Sequence, residues 1–230
     1  MRQLLWMGGL WIVLALIFAG LDPVVSHPAL RPSIADKVVE LHMVLTETAP
    51  THHKTVREGI QIVPGHAICS GSFVDDHGTI LTARHCVEGI ERMDVLTSDH
   101  RVYAASFVAK SQTQDLALVR IDRTGTPFFR LATTLAQGDV ISTLGSPLGE
   151  TATLSRGIVA KLAGDMIYAD MTVIPGNSGG AVYNERGEMV GVAVAVFMSE
   201  YGMTHLGVVE GTDAIRVFLK DVLGRKSHVE

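Results

Sequence analysis

Three short segments of the chain carry side chains that together could perform acyl transfer through an activated serine. His85 precedes Cys86, Asp115 opens a largely apolar run, and Ser178 lies in the glycine-flanked run 176–180. A general base, a carboxylate that orients it and a nucleophilic hydroxyl are the groups that this chemistry requires. Their order along the chain therefore predicts a serine nucleophile with His85 as its base and Asp115 as the orienting acid.

Each of these residues also has a plain structural interpretation when it is taken alone. A histidine with a pKa of about 6.5 can take and return a proton near neutral pH, but His85 is one of 10 histidines. Asp115 could cap a strand, and the glycines around Ser178 could form an ordinary turn. The combination of the three favours the catalytic interpretation.

The serine turn also offers backbone donors for a developing negative charge. Glycines on both sides of Asn177 and Ser178 permit unusual backbone angles and leave the hydroxyl accessible. The N–H groups of Gly176 and Ser178 can then point at one position, as an oxyanion hole requires. We therefore assign the predicted oxyanion hole to the turn Gly176, Asn177 and Ser178.

Short β-rich runs separated by turn signals predict the elements that position these residues. The predicted strands are 38–45, 72–74, 79–82, 93–96, 102–108, 116–121, 140–144, 157–162, 166–168, 181–183 and 189–196. This spacing is typical of an all-β barrel or sandwich. Residues 212–223 differ, because their apolar positions repeat with a helical period, and they predict a terminal helix.

The run 122–127 is the best candidate for a linker between two halves. It leaves His85 and Asp115 in the first half and Ser178 in the second. We expect a first barrel over about 38–122 and a second over about 130–211, with the site at their seam. A linker at 27–37 and a tail at 225–230 complete the predicted organisation.

Residues Leu4 to Leu21 form an apolar and glycine-containing stretch that follows Arg2. It would reach roughly 27 Å as a helix, close to the thickness of a bilayer core. A retained anchor with its N-terminus inside, or a signal peptide within 1–26 that is cleaved, would each send the rest of the chain out of the cytoplasm. A buried structural helix is the third interpretation.

The two cysteines, Cys69 and Cys86, suggest one disulfide in an exported chain. Two buried free thiols are the alternative. A bridge would also hold the segment that carries His85. The pair His52-His53 lacks a second ligand cluster at zinc spacing, so we expect no metal and no cofactor.

The net charge of −5 and the pI of about 6.0 give no basic surface for nucleic acid. Nucleic acid is therefore not an expected partner, whereas a membrane is one if residues 4–21 are retained.

At the level of motifs, the chain resembles trypsin/chymotrypsin-like serine proteases. The run 82–86 resembles their Thr-Ala-x-His-Cys motif, 176–180 resembles their serine motif in its HtrA-type form, and 115–118 matches the aspartate strand of both. Residues 140–162 also resemble the HtrA-like segment. The resemblance covers about 38–223 and implies two six-stranded antiparallel β-barrels with a C-terminal helix. The predicted hydrophobic helix over 4–21 would precede them. Cys69 and Cys86 correspond to a disulfide of the trypsin-like members.

Two departures from the family pattern affect regulation. Asn177 stands where trypsin-like zymogens carry an aspartate that pairs with a newly cut N-terminus, so we expect no activation of that kind. HtrA proteins normally carry a PDZ domain after the protease domain, and we expect no regulation through such a domain here. By resemblance, Thr172 occupies the base of the substrate pocket, with Val194 and Gly207 in its walls. A pocket without a carboxylate predicts cleavage after small or medium apolar residues.

The sequence therefore predicts a serine endopeptidase that acts outside the cytoplasm and forms an acyl-enzyme. A protease-fold binding or scaffolding protein without turnover is the alternative, and an esterase with the same three residues is a third interpretation. A complete set of catalytic residue types argues against the binding protein, and the family resemblance argues against the esterase and implies protein or peptide substrates.

Overall fold

The computed structural model of this protein describes residues 32–47, 65–147, 152–199 and 202–224. Its first half contains one short helix, seven strands and a 3₁₀ turn. These elements are α1 (Pro32–Ala35), β1 (Val38–Leu45), β2 (His66–Phe73), β3 (Thr79–Thr82), the 3₁₀ helix η1 (Arg84–Val87), β4 (Ile90–Leu96), β5 (Val102–Ala104), β6 (Ser106–Lys110) and β7 (Ala117–Arg120).

The second half contains six strands and a terminal helix. They are β8 (Val140–Gly145), β9 (Thr153–Ala163), β10 (Met166–Asp170), β11 (Ala181–Asn184), β12 (Met189–Ser199), β13 (Gly202–Gly211) and α2 (Thr212–Gly224). These strands form a closed barrel in the order β10-β13-β12-β11-β8-β9. Ile141, Val159, Ile167, Val190 and Val209 are among the residues that fill its core.

The first half differs from the predicted six-stranded barrel. It is a seven-stranded sheet in the order β5-β4-β1-β2-β3-β7-β6, and it is not closed. The predicted strand 102–108 is interrupted at Ala105, which separates β5 from β6, and the Ala105 N–H donates to the carbonyl of Met93 at 3.0 Å. β5 pairs with β4 and β6 pairs with β7, so the two strands form opposite edges of the sheet and no ladder between them closes it.

Most predicted strands and the terminal helix are confirmed, with two substantial differences. β2 begins at His66 instead of residue 72, and β13 was not predicted as a strand. Glycine weakens the strand signal in both segments, at Gly71 of β2 and at Gly202, Gly207 and Gly211 of β13. The predicted hydrophobic helix over 4–21 lies outside the described residues. Among the residues that the structure describes, no helix is both long enough and apolar enough to cross a membrane.

The predicted disulfide is confirmed between Cys69 of β2 and Cys86 of η1. Both residues are buried, at 4% and 0% exposure. The bridge therefore fixes the turn that carries His85 to the centre of the first sheet.

Reduction of this disulfide should lower the stability of the protein. In the chain-entropy model a loop of this size contributes about 3 kcal/mol to the free energy of unfolding. Urea denaturation of the oxidised and thiol-reduced protein measures the difference. The double variant Cys69→Ala, Cys86→Ala is the control, because thiol should not change its midpoint. Equal midpoints for oxidised and reduced wild type would contradict the prediction.

Candidate active site

His85 is the second residue of η1, which begins at Arg84, and only Ala83 separates η1 from the end of β3. The Cys86 N–H donates to the carbonyl of Ala83 at 3.1 Å, and this bond tightens the turn. Thr82 pairs with Ala117 in β7, so the end of β3 lies beside the start of β7. Asp115 comes just before β7, and this pairing therefore brings it next to His85.

Two hydrogen bonds join the histidine to the aspartate. His85 Nδ1 lies 2.7 Å from Asp115 Oδ2, and the His85 N–H donates to Asp115 Oδ1 at 3.0 Å. An ionised carboxylate only accepts, so Nδ1 carries the proton. In the neutral ring Nε2 is then the basic nitrogen. This is the orientation that a general base requires.

The environment keeps Asp115 ionised. Partial burial alone would raise its pKa, but the hydrogen bond to the His85 ring, the charge of His85 and the His85 N–H together lower it below its usual value. The side chains of His85 and Asp115 are 22% and 28% exposed. The pair is therefore sheltered from solvent while the ring keeps an accessible edge.

The turn that carries Ser178 depends on two glycines with positive φ. Gly176 has φ +102° and Gly179 has φ +85°. A Cβ on Gly179 would lie 2.1 Å from Thr82 Oγ1 and 2.2 Å from the carbonyl oxygen of Ser70. Only glycine fits there, because the turn lies directly against β2 and β3.

Ser70 of β2 makes three hydrogen bonds to the second half, and two of them reach this turn. Its N–H donates to the carbonyl of Ser178 at 2.8 Å, and its hydroxyl donates to the carbonyl of Gly176 at 2.7 Å. The same hydroxyl accepts from the N–H of Ser146 at 3.0 Å. Ser70 is fully buried. One residue of the first sheet thus holds both ends of the predicted oxyanion turn, Gly176 through its hydroxyl and Ser178 through its N–H.

The backbone donors of the turn divide into engaged and available groups. The Asn177 N–H, which was predicted to be an oxyanion donor, donates to the carbonyl of Ile174 at 3.0 Å. In this structure it is therefore not available to a ligand. The N–H groups of Gly176 and Ser178 donate to no acceptor within the described part of the chain. These two N–H groups are therefore available to donate to an oxyanion.

The disulfide brings the serine turn and the histidine turn together. Cys86 Sγ lies 3.8 Å from the carbonyl oxygen of Ser178. Nitrogen and sulfur atoms of Cys69, His85 and Cys86 lie within 4.8 Å of one another, but the disulfide engages both sulfurs. The three predicted catalytic residues therefore occupy one region, where the two halves meet.

The residues predicted for the substrate pocket lie in different environments. Thr172 is exposed, whereas Val194 is 8% exposed and Gly207 is buried. A Cβ on Gly207 would lie 2.6 Å from Val173 Cγ2. Sequence reasoning missed Val173, which is the side chain that packs directly against Gly207.

Sequence reasoning also missed Ser70 and Glu210. The Asp115 N–H donates to Glu210 Oε1 at 3.0 Å, across 95 positions of sequence. Serine and glutamate are common residue types, and neither lies in one of the recognised motifs. Only their burial and long-range contacts identify them.

A family model described as trypsin-like peptidase domain matches residues 69–192. This region contains His85, Asp115 and Ser178 together with both cysteines.

Curated relatives and solved structures are of the HtrA type. A probable periplasmic serine endoprotease DegP-like from Marinomonas sp. (strain MWYL1) is 30% identical over 58% of this chain and 30% of its own length. Protease Do-like 2, chloroplastic, from Arabidopsis thaliana is 29% identical over 87% of this chain and 34% of its own length. The chain thus spans about a third of the length of these relatives. The structure titled HtrA-type protease AlgW with decapeptide has a TM-score of 0.66 at 24% identity, covering 83% of this chain and 65% of its own, and shares the fold.

Replacement of Ser70 by alanine should destabilise the protein by about 1–3 kcal/mol, because buried polar groups of Gly176 and Ser146 lose their partner. Chemical unfolding measures the change. Ser106→Ala is the matched control, since the Ser106 hydroxyl is exposed and donates to a single carbonyl. We expect the control to stay within about 0.5 kcal/mol of wild type. A Ser70→Ala variant as stable as that control would contradict the assignment.

The lowered pKa of Asp115 predicts a pH-dependent contribution to stability. An acid with a depressed pKa in the folded state stabilises that state above its ordinary pKa, and the contribution disappears as pH falls through the lowered value. The stability difference between wild type and Asp115→Asn should therefore be largest near neutral pH and shrink in acid. Thermal unfolding between neutral and acidic pH measures it, with the exposed Asp170→Asn as control. A difference that is constant with pH would refute the prediction.

Proposed function

The chain belongs to the trypsin-like peptidase domain family, and from this premise we propose that it is a serine endopeptidase. The observation that carries the proposal is the doubly hydrogen-bonded pair of His85 and Asp115, beside a glycine turn that holds Ser178. The relatives that it matches are named serine endoproteases or proteases, which supports the same activity.

In the proposed mechanism, Ser178 Oγ attacks the carbonyl carbon of the scissile peptide bond and His85 Nε2 takes the hydroxyl proton. Asp115 keeps Nδ1 protonated and stabilises the imidazolium that forms. The N–H groups of Gly176 and Ser178 donate to the oxyanion of the tetrahedral intermediate. His85 then gives its proton to the leaving amine, and an acyl-enzyme remains on Ser178. His85 next activates the water that hydrolyses this ester.

The substrates are proposed to be proteins or peptides met outside the cytoplasm. The solved AlgW structure is titled as a complex with a decapeptide, which supports a peptide substrate. The DegP-like relative is named periplasmic, which supports an extracytoplasmic location. Hydrolysis of this kind requires no redox group, and the residues named above supply every proton transfer.

The substrate pocket is proposed to lie between Gly207 and Val194, with Val173 as an additional apolar wall. Val173 packs against the backbone of Gly207, so its side chain limits the depth available to a substrate residue. No carboxylate is assigned to this pocket. It should therefore accept small or medium apolar side chains and reject an unpaired cation.

Replacement of Ser178 by alanine should reduce peptidase activity by about 10⁴-fold or more, because the nucleophile is lost. Hydrolysis of a denatured protein or a quenched peptide measures the activity, and unfolding curves check that the variant is folded. The exposed Ser106→Ala is the matched control and should retain wild-type activity. Equal hydrolysis by wild type and Ser178→Ala would refute the proposed nucleophile.

A peptide library should be cut mainly after Ala, Val or residues of similar size. The apolar contact between Val173 and Gly207 is the reason for this preference. Mass spectrometry of the products gives the residue before each cut. Cleavage concentrated after Arg or Lys would contradict the proposed pocket, and the Ser178→Ala variant controls for contaminating proteases.

A further inference from the structure

Glu210 is a buried acid in direct contact with the proposed catalytic aspartate. It lies near the end of β13, where it pairs with Met166 of β10 and Val192 of β12. Its neighbour Val209 belongs to the barrel core, so the Glu210 side chain leaves the barrel on the opposite face. It is nevertheless only 5% exposed. The turn before β7 contributes to this burial, because Glu210 contacts Asp115 there.

The hydrogen bonds around Asp115 form a chain that crosses between the two halves. Glu210 Oε1 accepts from the Asp115 N–H at 3.0 Å, and the two Asp115 carboxylate oxygens contact His85 at 3.0 and 2.7 Å. The first bond ties Asp115 to the barrel that also carries Ser178. The other two tie it to the histidine of the first sheet.

We propose that Glu210 is a positioning residue, which holds Asp115 and through it His85 in register with the half that carries Ser178. This inference rests on the proposed serine endopeptidase function. The family motifs do not include the residue. Its position between the two halves suits a role in alignment, since a displacement of about 1 Å can cost roughly 100-fold in rate.

The surroundings of Glu210 raise the pKa of its carboxyl group above the usual value. Burial raises its pKa most, and the negative charges of Asp115 and of Asp165 in the β9–β10 turn raise it further. The Asp115 N–H and the positive charge of Arg84 in η1 act in the opposite direction. Oε2 is buried and has no hydrogen-bond partner among the described residues. A proton on Oε2 would remove the charge while Oε1 remains the acceptor for Asp115.

The raised pKa of Glu210 fits its contact with a second carboxyl group, that of Asp115. A second ionised carboxylate beside Asp115 would be repelled and would also be costly to bury. A glutamine offers the same carbonyl acceptor with no charge. A leucine fills similar volume but offers no acceptor. These two substitutions separate the hydrogen bond from simple packing.

Steady-state kinetics of the full chain with E210Q and E210L tests the inference. E210Q should keep wild-type kcat and KM, because the glutamine carbonyl still accepts from the Asp115 N–H. E210L should lose about 10- to 100-fold in kcat with little change in KM, because Glu210 does not touch the substrate. Glu40→Leu is the matched control, since Glu40 is also 5% exposed and its Oε2 also lacks a partner among the described residues. It should keep wild-type kcat.

A proton NMR measurement gives a readout that does not depend on turnover. The low-field signal of the His85 Nδ1 proton should keep its chemical shift in E210Q and move or vanish in folded E210L. An E210L variant with wild-type kcat and an unchanged signal would overturn the inference. So would an E210Q variant as impaired as E210L. If wild type itself shows no Ser178-dependent hydrolysis, the proposed function fails, and the NMR signal alone then decides whether Glu210 positions the pair.

Discussion

The hydrogen bonds of Ser70 to the serine turn are the constraint on which the rest of the site depends. Ser70 is buried in the first sheet, yet its hydroxyl hydrogen-bonds to Gly176 and Ser146 of the second half. Its N–H donates to the carbonyl of Ser178. The contact leaves no room for a side chain at Gly179. It also determines which backbone donors remain available, because the turn cannot relax without breaking buried hydrogen bonds.

The disulfide and the paired strands complete this arrangement from the histidine side. Cys69 is the neighbour of Ser70 in β2, and its bridge to Cys86 fixes the turn that carries His85. Pairing of β3 with β7 then brings Asp115 to the same end of the sheet. Glu210 adds a second link between the halves. The proposed nucleophile and its base are therefore attached through separate contacts to one small region of β2.

Local sequence patterns could predict the residues that do the chemistry but could not predict the contacts that align them. His85, Asp115 and Ser178 lie in runs whose residue types indicate their roles, and β-rich runs separated by turn signals predicted most strands. Ser70 and Glu210 lie in strands whose signal glycine weakens, and their partners are 106 and 95 positions away. The division of strand 102–108 at Ala105 could not be predicted, because the sequence there contains no glycine, proline, asparagine or aspartate.

The central claim is that Ser178 is a nucleophile activated by His85. Reaction of the folded chain with a fluorophosphonate, followed by intact mass and peptide mapping, tests it most directly. We predict one adduct on Ser178 in wild type and none in Ser178→Ala, with slow labelling in His85→Ala. A folded wild-type protein that forms no adduct, or forms it equally in Ser178→Ala, would contradict the account.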